Sequence, residues 1–405
     1  YWGSWDGNEY ATDLTGKKIW SASIGGQTQN CSKSRTYGVA SSAAVVDLPI
    51  NGTITTVVFV GGQDPTTKTA NLYALNGADG SVIWKTLLSS VSASFTWASP
   101  VVYSGSVYIG LSSADDCPLV QGGLLQLNAT TGVVQNTFNV VPNGCLGGSI
   151  WSSPTIDAPT NTVYVTTGNK GQCKSTENYV SAIIKLNASN LSVLDSWQVP
   201  AAEQVTDGDF GATPTLFTAT YGGNTHQMVG AQNKNGTYYA FDRTSLSAGP
   251  VWRAKISTNH SSIGTSAWDG TSLYVGTRDT TIGGKSCKGS LRSLNPATGA
   301  FNWEVCLNDG PVLAPISAVP GVAFVGEGPH VLAIATASGK ILFNYKTGGN
   351  INGAASISNG VLYVGDASGT LYVFGVPSIS TPTPTPTNTP TPTPTPTSTA
   401  TPTVT

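Results

Sequence analysis

Charge, methionine and histidine are all scarce in this chain. Asp, Glu, Lys and Arg make up 10% of its 405 residues, with one methionine and three histidines; a soluble protein usually has roughly 25% charged residues. The formal net charge of −2 leaves no basic field for nucleic acid and no cationic block for an anionic membrane surface. No apolar run approaches the ~18–20 residues of a membrane helix. A signal-peptide pattern is also missing, since Tyr1 already lies within a repeat, so an exported protein would carry its signal outside this stretch. The six cysteines include no Cys-x-x-Cys pair and no zinc-type spacing, which points to disulfides. Cys287 and Cys306 fall in one repeat and Cys117 and Cys145 flank another. The expected pairs are therefore Cys287–Cys306, Cys117–Cys145 and, by elimination, Cys31–Cys173. There is no Cys-x-x-Cys-His haem motif, no Gly-x-Ser-x-Gly elbow and no phosphate-binding glycine loop. His226, His260 and His330 lie in three different repeats, too scattered for a metal site or a triad.

What the chain does have is glycine, 47 residues of it, placed periodically. An aromatic-apolar-Gly strand recurs at Tyr1-Trp2-Gly3, Phe59-Val60-Gly61, Tyr108-Ile109-Gly110, Tyr274-Val275-Gly276, Phe324-Val325-Gly326 and Tyr363-Val364-Gly365. Tyr164-Val165-Thr166 and Met228-Val229-Gly230 are weaker copies. A strand of Leu-Tyr-Ala-Leu type follows, as at Leu72 to Leu75, Leu124 to Leu127 and Leu291 to Leu294. Next comes a tight turn and a strand carrying an aromatic: Gly16 leads to Trp20, Gly80 to Trp84, Gly299 to Trp303 and Gly339 to Phe343. Small residues precede each unit, as in Ala98-Ser99-Pro100, Ser152-Ser153-Pro154 and Ala212-Thr213-Pro214, and suit an innermost strand crowded around a channel. Four strands per repeat, eight repeats and no helical periodicity predict an all-β, eight-bladed β-propeller over residues 1–377. The first repeat lacks its inner strand and the last its outer strand, so both end blades are expected to be incomplete.

The repeat resembles the quinoprotein (PQQ) dehydrogenase propellers, whose docking signature Ala-x-Asp/Asn-x-x-Thr-Gly-x-x-x-Trp is seen from Ala74 to Trp84 and, with variations, from Ala11 to Trp20 and Ser293 to Trp303. Ile150-Trp151-Ser152-Ser153-Pro154-Thr155 and Asp207-Gly208-Asp209-Phe210-Gly211-Ala212 look like the polyvinyl-alcohol-dehydrogenase branch. The resemblance implies a dehydrogenase with pyrroloquinoline quinone over the propeller axis. It would need Ca²⁺, a carboxylate base, a cation near the quinone oxygens and flat packing partners. On matching segments, Trp151 and Trp268 are the stacking candidates, Asp207 and Asp209 the base or Ca²⁺ ligands, and Lys234 or Arg278 the cation. Each also has a plainer reading. The tryptophans could plug the channel, the aspartates could cap a turn, Lys234 could belong to a hairpin turn, and Arg278 could pair with Asp279. Trp20, Trp84, Trp252 and Trp303 read as packing between blades.

Residues 378–405 are nearly pure Thr-Pro, which favours extended polyproline II or disorder and cannot pack a core. Thr383, Thr385, Thr387, Thr391, Thr393 and Thr395 are candidate O-glycosylation positions of a stalk, the alternative being an inert linker. N-glycosylation triplets begin at Asn30, Asn51, Asn128, Asn187, Asn190, Asn235 and Asn259.

Two functional expectations follow. Adjacent cysteines and a full Glu/Asn/Asp Ca²⁺ set are missing, the end blades are open, and a Thr-Pro stalk follows them. These features favour a secreted or cell-surface, non-enzymatic scaffold or interaction module without cofactor. It would self-associate into filaments by strand donation, or bind cell-surface, matrix or glycan partners. The alternative is a PQQ- and Ca²⁺-dependent alcohol dehydrogenase.

Overall fold

The structure, a computed structural model, describes residues 1–30, 34–171, 173, 177–258 and 262–375, with backbone alone at 27–30, 34 and 35. The Thr-Pro tail, Cys31, Asn259 and His260 lie outside the described residues.

Eight antiparallel sheets follow one another along the chain, each taking its strands in sequence order, and make the predicted eight-bladed propeller. Blade 1 comprises Trp2–Gly3, Asn8–Thr12 and Lys18–Ser23. Blades 2 to 7 each have four consecutive strands and begin at Ala44, Val101, Thr155, Thr215, Ala267 and Ser317; the short strand Ser94–Phe95 adds to blade 3. Blade 8 comprises Ser356–Ser358, Val361–Gly365 and Leu371–Gly375, so the end blades have three described strands apiece, as expected. A hairpin of Gln27–Asn30 with Ser34–Tyr37 follows blade 1 and precedes blade 2 in the chain, and helix among the described residues is confined to two short 3₁₀ turns.

The tryptophans expected between blades are there, and the reason for their spacing is visible. The indole N–H of each reaches the next blade: Trp20 donates to Gly77 O at 2.8 Å, Trp84 to Ala129 O at 3.2 Å, Trp252 to Pro296 O at 2.7 Å and Trp303 to Thr336 O at 2.8 Å. Each acceptor lies three residues before a turn glycine, namely Gly80, Gly132, Gly299 and Gly339, all with φ between +72° and +75°. A Cβ on any of these glycines would fall 2.4–2.8 Å from the docked indole. Glycine is thus required twice over, for the turn and for the close approach. Tyr108 takes the same part between blades 3 and 4, donating to Ala188 O at 2.6 Å.

The small residues of the inner strands serve a second purpose. The backbone N–H of Ser42 donates to Ser99 Oγ, that of Ser99 to Ser153 Oγ, that of Ser153 to Thr213 Oγ1 and that of Thr213 to Thr265 Oγ1, at 3.0–3.1 Å. Blades 2 to 6 are therefore stitched around the axis by hydroxyls. These satisfy inner-strand donors that no ladder reaches.

Of the predicted disulfides, Cys287–Cys306 is present, joining adjacent strands of blade 6. Cys117–Cys145 and Cys31–Cys173 are not: Cys145 bonds Cys173 instead. Pairing within or beside a repeat misled here, because this bond joins the loop entering blade 4 to a loop inside it. Cys117 is also disulfide-bonded.

One position departs from the repeat. Leu72, Leu124 and Leu291 lie opposite Gly61, Gly110 and Gly276 and are fully buried; the residue opposite Gly3 is Glu9, equally buried. Neither carboxyl oxygen has a hydrogen-bond partner among the described residues, and burial pushes its pKa up from 4.5 to about 8. The fold thus favours neutral Glu9, a contribution fully present below pH 4.5 and lost as pH rises through about 8. The unfolding free energy of the wild type, read from urea denaturation, is expected to fall over this window relative to Glu9→Gln, by up to about 1.4 kcal/mol per pH unit. Parallel profiles for the two proteins would show that Glu9 is solvated.

Candidate functional site

Blades 4 and 5 bring four of the six candidate side chains together beside the segments that lead into their inner strands. Trp151 lies two residues before Ser153 of the hydroxyl ring, and Gly211 occupies the corresponding place before Thr213. The indole crosses to the neighbouring blade and fills the space where Gly211 has no side chain, since a Cβ there would sit 2.2 Å from Trp151 Cη2. Asp207 and Asp209 come from the loop that ends at Gly211, with Asp207 in the left-handed region at φ +55°. Lys234 directly follows the strand Asn224–Asn233, and its backbone N–H donates to Asp209 O at 3.0 Å.

Lys234 is the hub. Its Nζ lies 2.7 Å from Asp209 Oδ1, 2.8 Å from Asp207 Oδ1 and 4.9 Å from the centre of the Trp151 ring. The Trp151 N–H donates to Asp209 Oδ2 at 2.9 Å. Asn169, which sequence reasoning missed, donates its amide N–H to Asp207 Oδ1 at 2.8 Å. The signal for it was its place just past the second strand of blade 4.

The two carboxylates differ in exposure. The Asp209 side chain is 4% exposed, whereas that of Asp207 is 58% exposed. Burial raises the pKa of Asp209, with Lys234 opposing it. Burial likewise works against the charge of Lys234, but Asp209 and Asp207 outweigh it and hold the ammonium above the ordinary lysine value. Asp209 is therefore the inner anchor of the cation and the indole, and Asp207 is the carboxylate a small molecule can reach. A cavity of about 410 Å³ opens beside Asp207, lined also by Asn169, Lys170, Gln198, Gln204 and Thr206.

Trp268 and Arg278 are not part of this cluster. Trp268 stands three residues after the ring hydroxyl Thr265, five positions further along its inner strand than Trp151, and packs on Phe217 at 5.8 Å between ring centres. Arg278 pairs with Asp279 at 3.1 Å, the plainer of its two readings. His226 stacks on Tyr221 and pairs with Asp242, and His330 bonds Asn344.

A sequence profile described as glucose/ethanol/alcohol dehydrogenase, beta-propeller domain, matches residues 143–255, the stretch that holds every member of this cluster. A second, described as outer membrane protein assembly factor BamB, matches residues 287–376. The polyvinylalcohol dehydrogenase of a Pseudomonas species is 26% identical over 398 residues, covering 80% of this chain and 60% of the relative. That of Sphingopyxis sp. (strain 113P3) is 27% identical over 337 residues, covering 68% and 50%. These matches support a PQQ dehydrogenase-like β-propeller family for the chain. It spans half to three-fifths of the length of these curated relatives. Among solved structures, quinohemoprotein alcohol dehydrogenase ADHIIG from Pseudomonas putida HK5 superposes with a TM-score of 0.66 at 16% identity, over 88% of this chain and 66% of that one. That similarity shows the fold.

These findings overturn the expectation of a non-enzymatic filament or scaffold protein. It rested on the open end blades, the Thr-Pro stalk and motifs the chain lacks, whereas the residues that count lie as far as 83 positions apart, from Trp151 to Lys234, and only folding assembles them. The donor chemistry fits what the family implies. The exposed Asp207 carboxylate and the Asn169 amide oxygen are hard donors of the kind a Ca²⁺ ion takes, with water and cofactor oxygens completing its shell, whereas both Asp209 oxygens are engaged by Lys234 and the Trp151 N–H. Among the described residues no group of three His, Cys, Asp or Glu side chains gathers as a metal cage. A half-buried indole with a cation beside it suits a flat, anionic quinone.

Asp209→Ala would leave Lys234 and the Trp151 N–H without their buried partner and is expected to cost about 3 kcal/mol. Asp207→Asn, at an exposed carboxylate, is expected to cost under about 1 kcal/mol. Urea denaturation of the two variants checks the order, and the reverse order would refute the anchor assignment.

Proposed function

We propose that this chain is the propeller of a PQQ- and Ca²⁺-dependent alcohol dehydrogenase acting on secondary hydroxyls of a poly(vinyl alcohol)-like substrate. The observation that carries the reading is the convergence of Trp151, Asp207, Asp209 and Lys234 from separate segments of blades 4 and 5. The names of the curated relatives support the substrate class. No helix among the described residues is long and apolar enough to cross a membrane, and the disulfides suit an oxidising compartment such as the periplasm or the exterior.

Trp151, Lys234, Asp207 and Asn169 are the residues that would hold the cofactor and its cation. Pyrroloquinoline quinone, when bound, supplies the two-electron acceptor that no side chain offers. The chain's own residues do the rest. Asp207 stands at the cavity and accepts the proton of the substrate hydroxyl as the C–H bond is oxidised. Lys234 offers a fixed positive charge to oxygen that gains negative charge, and Asp209 keeps it aimed there without reorganisation. Trp151, backed by Gly211, gives a flat wall that excludes water from one side.

Adding pyrroloquinoline quinone and Ca²⁺ to the purified protein is expected to give quinone absorbance and dye reduction dependent on a secondary alcohol. Asp207→Asn should lose dye reduction by about 10²-fold or more. No uptake of micromolar quinone by the wild type would sink this reading.

A further inference from the structure

Two loops meet at the outer flank of the site. Gly148 N–H donates to Asn169 O at 2.8 Å, Gly168 N–H donates to Ser149 O at 2.7 Å, and Gly147 bridges both Gln121 and Lys170. The backbones approach more closely than side chains allow. A Cβ on Gly147 would lie 2.4 Å from Gly171 N, and one on Gly171 would lie 2.0 Å from Leu146 O. Glycine segments follow such a path with little intrinsic preference for it. The Cys145–Cys173 bond closes over this contact, two residues beyond Gly147 on one side and Gly171 on the other, with its Cα atoms 5.1 Å apart.

Neither cysteine lies in a strand of a blade. Cys287 and Cys306, in contrast, sit in adjacent strands that the blade 6 ladder already holds together. What the loop contact carries is Asn169, whose amide N–H holds Asp207. Asp207 sits at the most exposed part of the cluster, in the left-handed region that non-glycine residues adopt uncommonly.

We propose that Asn169 is a positioning residue for Asp207, and that the Cys145–Cys173 disulfide keeps it in place, as a strut of the site rather than of the propeller. The catalytic consequence rests on the dehydrogenase reading above; the structural one does not.

The test compares Cys145→Ser/Cys173→Ser with Cys287→Ser/Cys306→Ser in the full chain, by hydrogen exchange read with mass spectrometry. Exchange in residues 145–150 and 166–171 is expected to rise about tenfold or more in the first double variant alone, with the strands of blade 4 still protected. After loading with pyrroloquinoline quinone and Ca²⁺, kcat should fall about tenfold with KM for the alcohol within about twofold. Asn169→Ala, loaded at saturating quinone and Ca²⁺, should lower kcat likewise, with both loops still protected. Unchanged loop protection overturns the proposal. So does loss of protection throughout blade 4, or failure of the double variant to fold, because the disulfide would then support the propeller. A wild type that takes up no quinone defeats the dehydrogenase reading, and the exchange data still decide the strut.

Discussion

An indole N–H reaching a carbonyl of the next blade, under a glycine that leaves room for the ring, is the contact on which this molecule depends. A blade cannot bury both faces by itself, and its neighbours must lock at a fixed angle and height. Each such bond is worth about 1 kcal/mol, but each also buries a tryptophan against a turn that tolerates no Cβ. Trp20, Trp84, Trp252 and Trp303 repeat the arrangement, and Tyr108 supplies it where tryptophan is missing. The Ser and Thr hydroxyls around the axis fix the inner ends in the same way.

The site follows from that locking. Trp151 and Gly211 hold matching places in successive blades, so fixed blades put a large ring in one beside an empty place in the other. Lys234 is then enclosed by two carboxylates and the indole, a buried charge neutralised on the spot. Asp209 faces inward and Asp207 outward, which divides anchoring from chemistry between two residues of one short loop.

The fold was legible because its determinants are local and repeated: Gly80 and Trp84 lie four residues apart, and the same spacing recurs. Trp151, Asp207, Asp209 and Lys234 could be nominated from the family resemblance, but their mutual contacts span separate segments and leave no spacing to read. Trp268 looked equivalent to Trp151 because both adjoin small residues; its register on the inner strand is different, and register was not visible. Asn169 had no motif around it. The Cys145–Cys173 bond was missed since it joins two loops that meet through glycine-containing backbone, and Glu9 hid in a place where the repeat elsewhere has leucine.

The non-enzymatic expectation fails for a related reason. Absent motifs such as paired cysteines or a haem site describe how some dehydrogenases pass electrons on, and say little about whether a quinone and an alcohol can be held. The central claim is that Trp151 and Lys234 form that holding place. Titrating pyrroloquinoline quinone with Ca²⁺ while following tryptophan fluorescence tests it most directly. The account predicts saturable quenching in the wild type that Trp151→Leu removes and Lys234→Ala weakens at least about tenfold. Quenching that survives unchanged in both variants would contradict it.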